Sequence, residues 1–384
     1  MKSICIIVLI HLILITNSAN AQYESLTHNG LNRTYLIHLP ENYTQNEALP
    51  LIIAMHGGFG NAYNLQNQSQ LSETADMENF IVVYPEGIAG GILNIPTWNA
   101  GWCCGYASSS NIDDVGFINT LLDTLISQYD IDTNRIYATG MSNGGFMAYR
   151  LACELSHRIA AIAPVAASLA FSDCTPTRPV PIISFHSYLD SNVPYHGGIG
   201  DGFSSHYNSP QDSIMSKWAS INGCSTFNDT IVNNEEYTHV QWSNCECNVE
   251  VHQYITQDGG HSWPGGNQTP TGDPTSNYIN ANDKMWAFFQ QHTLNCSSTT
   301  GIQENAVKEV PFEIYPNPTT ETFNILPLNN RSDKKITIYD SFGNFLMESK
   351  NHSSISLANY PSGIYYITIS SNKITFTKKL LLTH

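Results

Sequence analysis

The sequence predicts an α/β protein with a doubly wound, mostly parallel sheet and no large lid, followed by a small all-β sandwich. A strand pattern at residues 135–139 passes through a glycine-rich turn into a helical pattern at residues 146–152. Further apolar runs at residues 51–55 and 181–186 read as buried strands. From residue 311 onward the pattern changes to short alternating strands with turn signals between them, which is typical of a β-sandwich.

The turn at residues 140–144, Gly-Met-Ser-Asn-Gly, carries the strongest chemical signal in the chain. A G-x-S-x-G turn between a strand and a helix is a nucleophile elbow, in which the glycines permit a bend too sharp for side chains and the serine is exposed above the sheet. The alternative is a glycine-rich turn that only lets a helix pack close to a sheet. Ser142 is therefore a candidate nucleophile, and its partners decide between the two interpretations.

Asp190 and His261 are the predicted partners of Ser142. On an α/β-hydrolase fold the acid and the histidine follow the serine in that order, each at the carboxyl end of a later strand. Asp190 lies just past the strand pattern at residues 181–186, and His261 lies on a glycine-rich loop after the last strand. Asp201 is interpreted instead as a turn-forming loop residue. Order and context together favour a Ser-His-Asp triad.

The loop after the strand pattern at residues 51–55 contains a predicted oxyanion donor. Residues 56–60, His-Gly-Gly-Phe-Gly, match the glycine-rich type of loop that supplies a backbone N–H. We expect the N–H groups of Asn143 and Gly58 to hold the oxyanion, with Phe59 as the alternative to Gly58. Neither of the glycine-rich phosphate-binding motifs is present. We expect no metal and no cofactor.

Aromatic side chains at the predicted rim are candidate substrate contacts. Trp98 and Trp263 lie in rim loops, and Phe59 lies in the oxyanion loop. Aromatic rings in such positions can stack on a sugar or on an aromatic acyl group. Only about 13 residues separate the strand pattern at residues 159–167 from the one that begins at residue 181. Since lipases insert a helical lid there, we expect an open site that takes an ester presented on a polymer.

Seven short motifs follow one another along the chain: residues 56–58, 98–105, 113–117, 140–145, 151–154, 186–195 and 260–266. Together they resemble the secreted feruloyl esterase and polyhydroxybutyrate depolymerase-like α/β-hydrolases, over roughly residues 25–295. The resemblance implies a serine carboxylesterase with Ser142, Asp190 and His261 as its triad. It leaves open whether the ester is a feruloyl or acetyl ester of plant polysaccharide or a polyester.

Residues 1–21 are interpreted as a secretory signal peptide. Lys2 precedes an apolar run of about 12 residues, too short to span a bilayer, and residues 19–21 form an A-x-A cleavage site. We therefore expect an exported protein without a transmembrane segment. Eight of the nine cysteines follow the signal, which favours disulfides. We expect adjacent Cys103 and Cys104 to pair elsewhere rather than with each other, and the connectivity stays open.

Residues 315–318, Tyr-Pro-Asn-Pro, and residues 360–366, Tyr-Pro-Ser-Gly-Ile-Tyr-Tyr, resemble the C-terminal sorting domain of the type IX secretion system. The resemblance implies the type IX machinery as a partner and a secreted or cell-surface location. A carbohydrate-binding sandwich is the alternative, but the aromatic residues occupy alternating, core-like positions. The predicted division of the chain is a signal peptide at 1–21, a catalytic domain at 22–296, a linker at 297–310 and a sorting domain at 311–384.

Charge limits the partners of the catalytic part. Upstream of residue 311 there are nine Lys or Arg residues against 27 Asp or Glu residues. Because such a surface repels polyanions, we expect no nucleic-acid partner. We expect a monomer that acts on an ester carried by polysaccharide or polyester. A secreted serine peptidase of the same fold and a non-catalytic polysaccharide-binding protein are the alternatives.

Overall fold

The computed structural model describes residues 22–202, 205–225, 228–270, 272–295, 313–326, 335–340, 345–350, 353–371 and 374–383. The chain divides into two compact units, Met1–Ser298 and Thr299–His384. The predicted signal peptide and linker lie outside the described residues. Within the described part of the chain, no helix combines the length and the apolar character needed to cross a membrane.

The N-terminal unit contains fourteen strands and seven α-helices among its described residues, with one turn of 3₁₀ helix at Glu246–Asn248. In chain order they are β1 Gln22–His28, β2 Leu31–His38, β3 Leu49–Met55, α1 Ala62–Ser69, α2 Leu71–Glu78, β4 Ile81–Pro85, β5 Ile88–Gly90, β6 Ile95–Thr97, α3 Gly105–Ser109, α4 Asp114–Gln128, β7 Ile131–Met141, α5 Asn143–Glu154, β8 Ala161–Val165, β9 Ile182–Ser187, β10 Gly198–Ile199, β11 Tyr207–Asn208, α6 Gln211–Ile221, β12 Asp229–Asn233, β13 Tyr237–Trp242, β14 Val251–Thr256 and α7 Ala281–Phe289.

Ten strands form one sheet in the order β1-β2-β4-β3-β7-β8-β9-β14-β13-β12. The six central strands from β4 to β14 run parallel to one another, and two antiparallel strands flank them at each end of the sheet. Met55 pairs with Gly140, and Met141 pairs with Val165. Parallel pairing therefore brings the carboxyl ends of β3, β7 and β8 to one edge of the sheet, where ligands bind in open α/β folds.

Each face of the sheet packs on its own set of helices. Along β3, Leu51 and Ile53 join the core under α4, α5 and α6, whereas Ile52 and Ala54 join the core under α1, α2 and α7. All four side chains are fully buried. Strands buried on both faces have continuous apolar sequences, which is why the run at residues 51–55 shows no polar alternation. The doubly wound sheet predicted from the sequence is confirmed.

The C-terminal unit is a small all-β sandwich, as predicted. Its strands are β15 Glu313–Tyr315, β16 Thr322–Leu326, β17 Lys335–Tyr339, β18 Phe345–Lys350, β19 Ser354–Ser356, β20 Gly363–Ser371 and β21 Ile374–Leu382. They form a three-stranded sheet, β15-β16-β19, and a four-stranded sheet, β18-β17-β20-β21. Phe323 on one sheet shares a core with Ile338, Ile367 and Leu380 on the other. Side chains that alternate along each strand therefore fill the space between the sheets.

Disulfides link cysteines that are close in the chain. Cys103 bonds to Cys104, Cys153 to Cys174 and Cys224 to Cys245, and Cys247 is also disulfide-bonded. The expectation that Cys103 and Cys104 pair elsewhere is therefore wrong. The two cysteines are neighbours in the chain, and the N–H of Cys104 donates to the carbonyl of Trp98.

Three buried histidines stay neutral in the folded protein. Burial lowers the pKa values of His56, His239 and His292 to about 4. His239 faces His252 across the β13–β14 pair, with 3.2 Å between its Nε2 and Nδ1 of His252. Water solvates an imidazolium better than this apolar and histidine-rich surrounding does, so protonation opposes folding at these sites.

We expect the free energy of unfolding of the N-terminal unit to fall as the pH drops from about 6.5 to about 4. The unfolded chain takes up protons at these histidines near pH 6.5, whereas the folded pKa values are about 4. The slope should reach at most ~1.4 kcal/mol per pH unit for each histidine. All six tryptophans lie in this unit, so urea unfolding followed by tryptophan fluorescence measures the effect.

His292→Gln should reduce the pH dependence because it removes one of the three groups. His157→Gln changes an exposed histidine and should keep the wild-type slope. An unchanged slope in His292→Gln would contradict the role given to that residue.

Candidate functional site

The strand β7 ends at Met141 and the helix α5 begins at Asn143, with Ser142 alone between them. Ser142 has φ 52° and ψ −124°, a backbone conformation that side chains disfavour. A Cβ at Gly144 would collide with the carbonyl oxygen of Met55, so only glycine lets α5 approach the end of β3. This strained connection is the geometry of a nucleophile elbow.

The side chain of Asn143 ties the elbow to a neighbouring loop. Its Oδ1 accepts a hydrogen bond from the N–H of Trp98 at 2.7 Å, and its Nδ2 donates to the carbonyl of Trp98 at 3.1 Å. Both residues are buried. Because both hydrogen-bonding atoms of the Asn143 side chain are bonded to Trp98, the group that Asn143 can offer to an oxyanion is its backbone N–H. Asn143 is the first residue of α5, so this N–H has no carbonyl partner within the helix.

A buried ion pair is hydrogen-bonded to the loop that contains Trp98 and Asn99. Nη2 of Arg33 lies 2.7 Å from Oδ1 of Asp114, and both side chains are almost inaccessible to solvent. The second carboxylate oxygen of Asp114 accepts the N–H of Asn99 at 2.8 Å. The guanidinium carbon of Arg33 lies 3.8 Å from the ring centre of Phe117. Removal of either charge would leave the other buried and unpaired, which is strongly unfavourable.

Asp190 directly follows β9 and is buried. Its Oδ1 accepts the N–H groups of Asn192 and Val193 at 2.9 and 2.8 Å, and its Oδ2 accepts Nδ1 of His261 at 2.9 Å. Burial acts to raise the pKa of Asp190, but the charge and hydrogen bond of His261 outweigh it, and the pKa is lowered. The carboxylate therefore stays ionised and can orient an imidazole.

His261 lies on the loop after β14, and its backbone and its ring each form a hydrogen bond with a carboxylate. Its backbone N–H donates to Oδ2 of Asp273 at 2.7 Å, and its ring donates from Nδ1 to Asp190. With the proton on Nδ1, Nε2 is left as the basic nitrogen. His261 and Ser142 line the same cavity. The structure thus brings all three residues of the predicted triad to one edge of the sheet.

Two further histidines near the site have structural contacts. His56 receives the N–H of Gly87 at Nε2 and bonds from Nδ1 to the carbonyl of Gly57, which shapes the glycine-rich loop. His186 donates from Nε2 to the carbonyl of Val193 at 2.8 Å. Burial lowers the pKa values of both histidines, so neither carries a charge near neutral pH. They fix the loops on either side of the cavity without competing for the proton of Ser142.

The cavity has a volume of about 320 Å³. It is lined by Ser142 and Asn143 of the elbow and by Gly58 and Phe59 of the glycine-rich loop. Both predicted oxyanion residues, Gly58 and Asn143, therefore face the same space as Ser142. The remaining lining residues are Ile95, Thr97, Cys104, Gly105, Phe146, Asn192, Val193, Asp201, Gly202, His206 and His261.

The expected substrate contacts of Trp98 and Trp263 are wrong. Both side chains are fully buried and neither lines the cavity. The indole N–H of Trp98 donates to the carbonyl of His56, and that of Trp263 donates to Oδ1 of Asn282. Large rings with a satisfied N–H are well suited to a core. Phe59 differs, since it is 61% exposed and lines the cavity.

Sequence reasoning missed Asp273, His206 and the clamp made by the Asn143 side chain. Asp273 lies 12 residues after His261, in a segment without regular structure. His206 lies in the connection between β9 and α6, far from any motif. Nothing in the local sequence signals either role, because each arises from contacts between distant segments.

Two segments of the chain match known families. Residues 33–177 match the family described as esterase PHB depolymerase, and residues 313–383 match the secretion system C-terminal sorting domain. Both predicted resemblances are confirmed. Residues 33–177 are therefore similar to that esterase family, and the C-terminal unit is similar to the sorting domain. The protein is accordingly secreted or held at the cell surface.

Several proteins similar to this chain are named as esterases. Feruloyl esterase B of Piromyces equi is 32% identical over 240 residues, which are 60% of this chain and 42% of that protein. A bifunctional acetylxylan esterase/xylanase of Neocallimastix patriciarum is 28% identical over 61% of this chain and 31% of its own length. The chain therefore spans less than half of these two relatives. A probable feruloyl esterase C of Aspergillus clavatus is 26% identical over 67% of this chain and 83% of its own length.

A solved structure confirms the fold. The acetyl xylan esterase from Aspergillus awamori superposes with a TM-score of 0.50 at 16% identity, and the match covers 70% of this chain and 99% of that one. The N-terminal unit therefore has the α/β-hydrolase fold predicted from its sequence.

Asp190→Asn should lower kcat on an ester substrate by a factor on the order of 10³–10⁴, because an amide no longer favours the His261 tautomer that carries its proton on Nδ1. Asp201→Asn removes an exposed carboxylate at the same cavity and should cost less than about tenfold. Initial rates measure kcat of both variants, and tryptophan fluorescence verifies that they are folded. An equal loss of kcat in the two variants would contradict the role of Asp190 in orienting His261.

Asn143→Ala should destabilise the N-terminal unit by about 2–4 kcal/mol, because the N–H and carbonyl of Trp98 lose their partners in the interior. Since the start of α5 would shift, kcat/KM should also fall by roughly 10- to 100-fold for the folded enzyme.

Asn222 provides a matched control. Its buried amide makes the same paired contacts with the backbone of Val180, at 3.0 and 2.8 Å, away from the cavity. Asn222→Ala should cost similar stability and leave kcat/KM within about twofold. If both variants lost activity equally at equal folded fraction, the Asn143 clamp would have no specific effect on the site.

Proposed function

We propose that the chain is a secreted carboxylic-ester hydrolase that uses Ser142, His261 and Asp190 for acyl transfer. One observation carries the proposal: Nδ1 of His261 lies 2.9 Å from Oδ2 of Asp190, while His261 and Ser142 line one cavity. Nucleophile, base and orienting acid are thereby available together, as two-step acyl transfer requires.

In the first half-reaction, Nε2 of His261 takes the proton of the Ser142 hydroxyl as Oγ attacks the ester carbonyl carbon. The tetrahedral intermediate then collapses, the C–O bond to the alcohol breaks, and the imidazolium gives its proton to the leaving oxygen. Asp190, ionised at neutral pH, stabilises the imidazolium while it exists. The product at this stage is an acyl ester on Ser142.

In the second half-reaction, water gives a proton to His261 and attacks the acyl ester, and the released serine oxygen recovers that proton. Negative charge develops on the carbonyl oxygen in both steps. The N–H groups of Asn143 and Gly58 are suited to hold it, because both residues border the cavity beside Ser142. Fixed donors of this kind need no reorganisation during the reaction.

The substrate class that we propose is an ester of aromatic or short acyl groups carried by a polymer. Residues 166–181, between β8 and β9, contain no helix, so no helical lid stands at this point. The exposed ring of Phe59 lies at the cavity and offers an aromatic surface. The relatives named as feruloyl and acetylxylan esterases support this class.

We further propose that residues 22–296 are the catalytic domain, that residues 311–384 engage the type IX secretion machinery, and that residues 297–310 link the two. The match of residues 313–383 to a sorting domain supports the second assignment. The division of the chain near Ser298 supports the first.

Hydrolysis of methyl ferulate, acetylated xylan and a polyester film tests the proposal, with a long-chain triglyceride and a peptide anilide as comparison substrates. The wild-type protein should hydrolyse at least one of the first three. Ser142→Ala should lower the rate by at least about 10³-fold, because no other hydroxyl is placed at the elbow.

A serine-directed phosphonate should label Ser142, which mass spectrometry of the modified peptide would detect. Preference for the triglyceride would contradict the polymer-linked substrate class. Faster cleavage of the anilide would favour a peptidase, and absence of both labelling and hydrolysis would favour a binding protein.

A further inference from the structure

The loop that carries His261 begins at a residue that is fixed to the sheet. The carbonyl of Asp258 accepts two hydroxyl groups at 3.1 Å, one from Ser187 at the end of β9 and one from Thr256 at the end of β14. These two strands are parallel neighbours, so their carboxyl ends lie at the same edge of the sheet. Only two glycines separate Asp258 from His261. The start of the loop is therefore tied to both strands.

A later segment, residues 273–277, is bonded to this loop on both sides of His261. Before the histidine, the carboxylate of Asp258 accepts the hydroxyl of Ser276. After the histidine, the N–H of Gly265 donates to the carbonyl of Ser276 at 2.9 Å. The loop and the later segment are therefore held together on either side of the histidine.

The carboxylate of Asp273 reaches the backbone of His261 because residue 260 is a glycine. Oδ2 of Asp273 accepts the N–H of His261 at 2.7 Å. A Cβ at Gly260 would lie 2.5 Å from that oxygen and 2.8 Å from Cβ of Asp273, closer than such atoms approach in proteins. Gly259 has a positive φ of 72°, which favours glycine by itself, whereas Gly260 does not. Gly260 is therefore explained by the space that Asp273 needs.

His261 is held at two separate points, its ring by Asp190 and its backbone N–H by Asp273. The bond from Nδ1 to Asp190 fixes a distance, but it leaves the ring able to turn about that contact. The bond at the backbone supplies the second fixed point that sets where Nε2 lies. Proton transfer from Ser142 requires Nε2 within hydrogen-bond reach of Oγ, and a displacement of about 1 Å at a reacting group can cost about 10²-fold in rate.

We propose that Asp273 is a positioning residue for the reaction, because its hydrogen bond to the N–H of His261 fixes the ring where Nε2 can take the proton of Ser142. The inference rests on the proposed function and adds a residue to its machinery. The bond requires an acceptor oxygen but not a charge, since its donor is a neutral backbone N–H. Asparagine can therefore replace Asp273, whereas it cannot replace Asp190, whose carboxylate stabilises the imidazolium.

Substitutions at residue 273 test this role with 4-nitrophenyl acetate as the substrate. Asp273→Ala should lower kcat by roughly 10- to 100-fold and leave KM within about twofold, because His261 moves while the cavity wall, to which Asp273 does not belong, is kept. Asp273→Asn should keep kcat within about threefold of the wild type. Asp173→Ala removes an exposed loop aspartate away from the cavity and should leave kcat within about twofold. Tryptophan fluorescence verifies that each variant is folded.

Gly260→Ala tests the same contact from the other partner. The added methyl group should displace the Asp273 carboxylate and lower kcat by a factor similar to that of Asp273→Ala. The double variant should lie within about threefold of Gly260→Ala alone, because both substitutions remove one hydrogen bond. Losses that multiply in the double variant would show that the two residues act independently and would contradict the proposed contact.

The rate at which a serine-directed phosphonate labels Ser142 separates this inference from the proposed function, because labelling needs the base but no particular ester. Asp273→Ala should be labelled at least about tenfold more slowly than the wild type, and Asp273→Asn at nearly the wild-type rate. Equal labelling of the wild type and Asp273→Ala, or an equal loss in the Ala and Asn variants, would overturn the role of Asp273.

A wild-type protein that is neither labelled nor hydrolyses an ester would overturn the proposed function instead. Proton NMR then still tests the contact, since the Nδ1 proton that His261 donates to Asp190 should give a low-field signal that does not depend on turnover. Asp273→Ala should broaden or shift this signal, and Asp273→Asn should retain it. A signal unchanged in Asp273→Ala would show that Asp273 does not hold the ring.

Discussion

The site depends on one pair of buried hydrogen bonds, those between the side-chain amide of Asn143 and the backbone of Trp98. Asn143 follows the strained Ser142, so the amide fixes where the helix α5 begins and where its first N–H points. The Trp98 loop is in turn bonded to the buried Arg33–Asp114 pair through Asn99. A strained backbone at a nucleophile persists only where surrounding contacts hold it in place, and these hydrogen bonds hold the backbone next to Ser142.

Chemically similar groups around the cavity have different roles because they are buried in different surroundings. Asp190 is buried but ionised, because two backbone N–H groups and the ring of His261 compensate for lost water. His56 and His186 stay neutral because burial outweighs the hydrogen bonds that they make to the carbonyls of Gly57 and Val193, so they act as fixed parts of loops. A single imidazole, that of His261, is left to move a proton between Ser142 and the substrate. Whether a histidine acts as the base or only holds a loop therefore depends on its environment and not on its residue type.

The predictions that were wrong share one cause. Trp98 and Trp263 were expected at the rim because they lie in loops after strands, but these loops turn inward and their indoles fill the core. Cys103 and Cys104 were expected to find distant partners, but they bond to each other, and the Cys103 side chain is buried in the core. Position along the chain identifies a loop, whereas the direction of each side chain depends on which distant segment packs against it.

The sequence by itself determined the sheet, the nucleophile elbow and the candidate triad, because each is written in local patterns: apolar runs, a Gly-x-Ser-x-Gly turn, and an acid and a histidine after successive strands. It also determined the sorting domain, through short aromatic motifs in alternating strands. Only the tertiary structure decided that Asp273 holds the loop of His261, that Asn143 clamps Trp98, and that His206 faces Phe146 in the cavity. These contacts join residues far apart in the chain, and their geometry follows from how helices pack on the sheet, which local propensity does not encode.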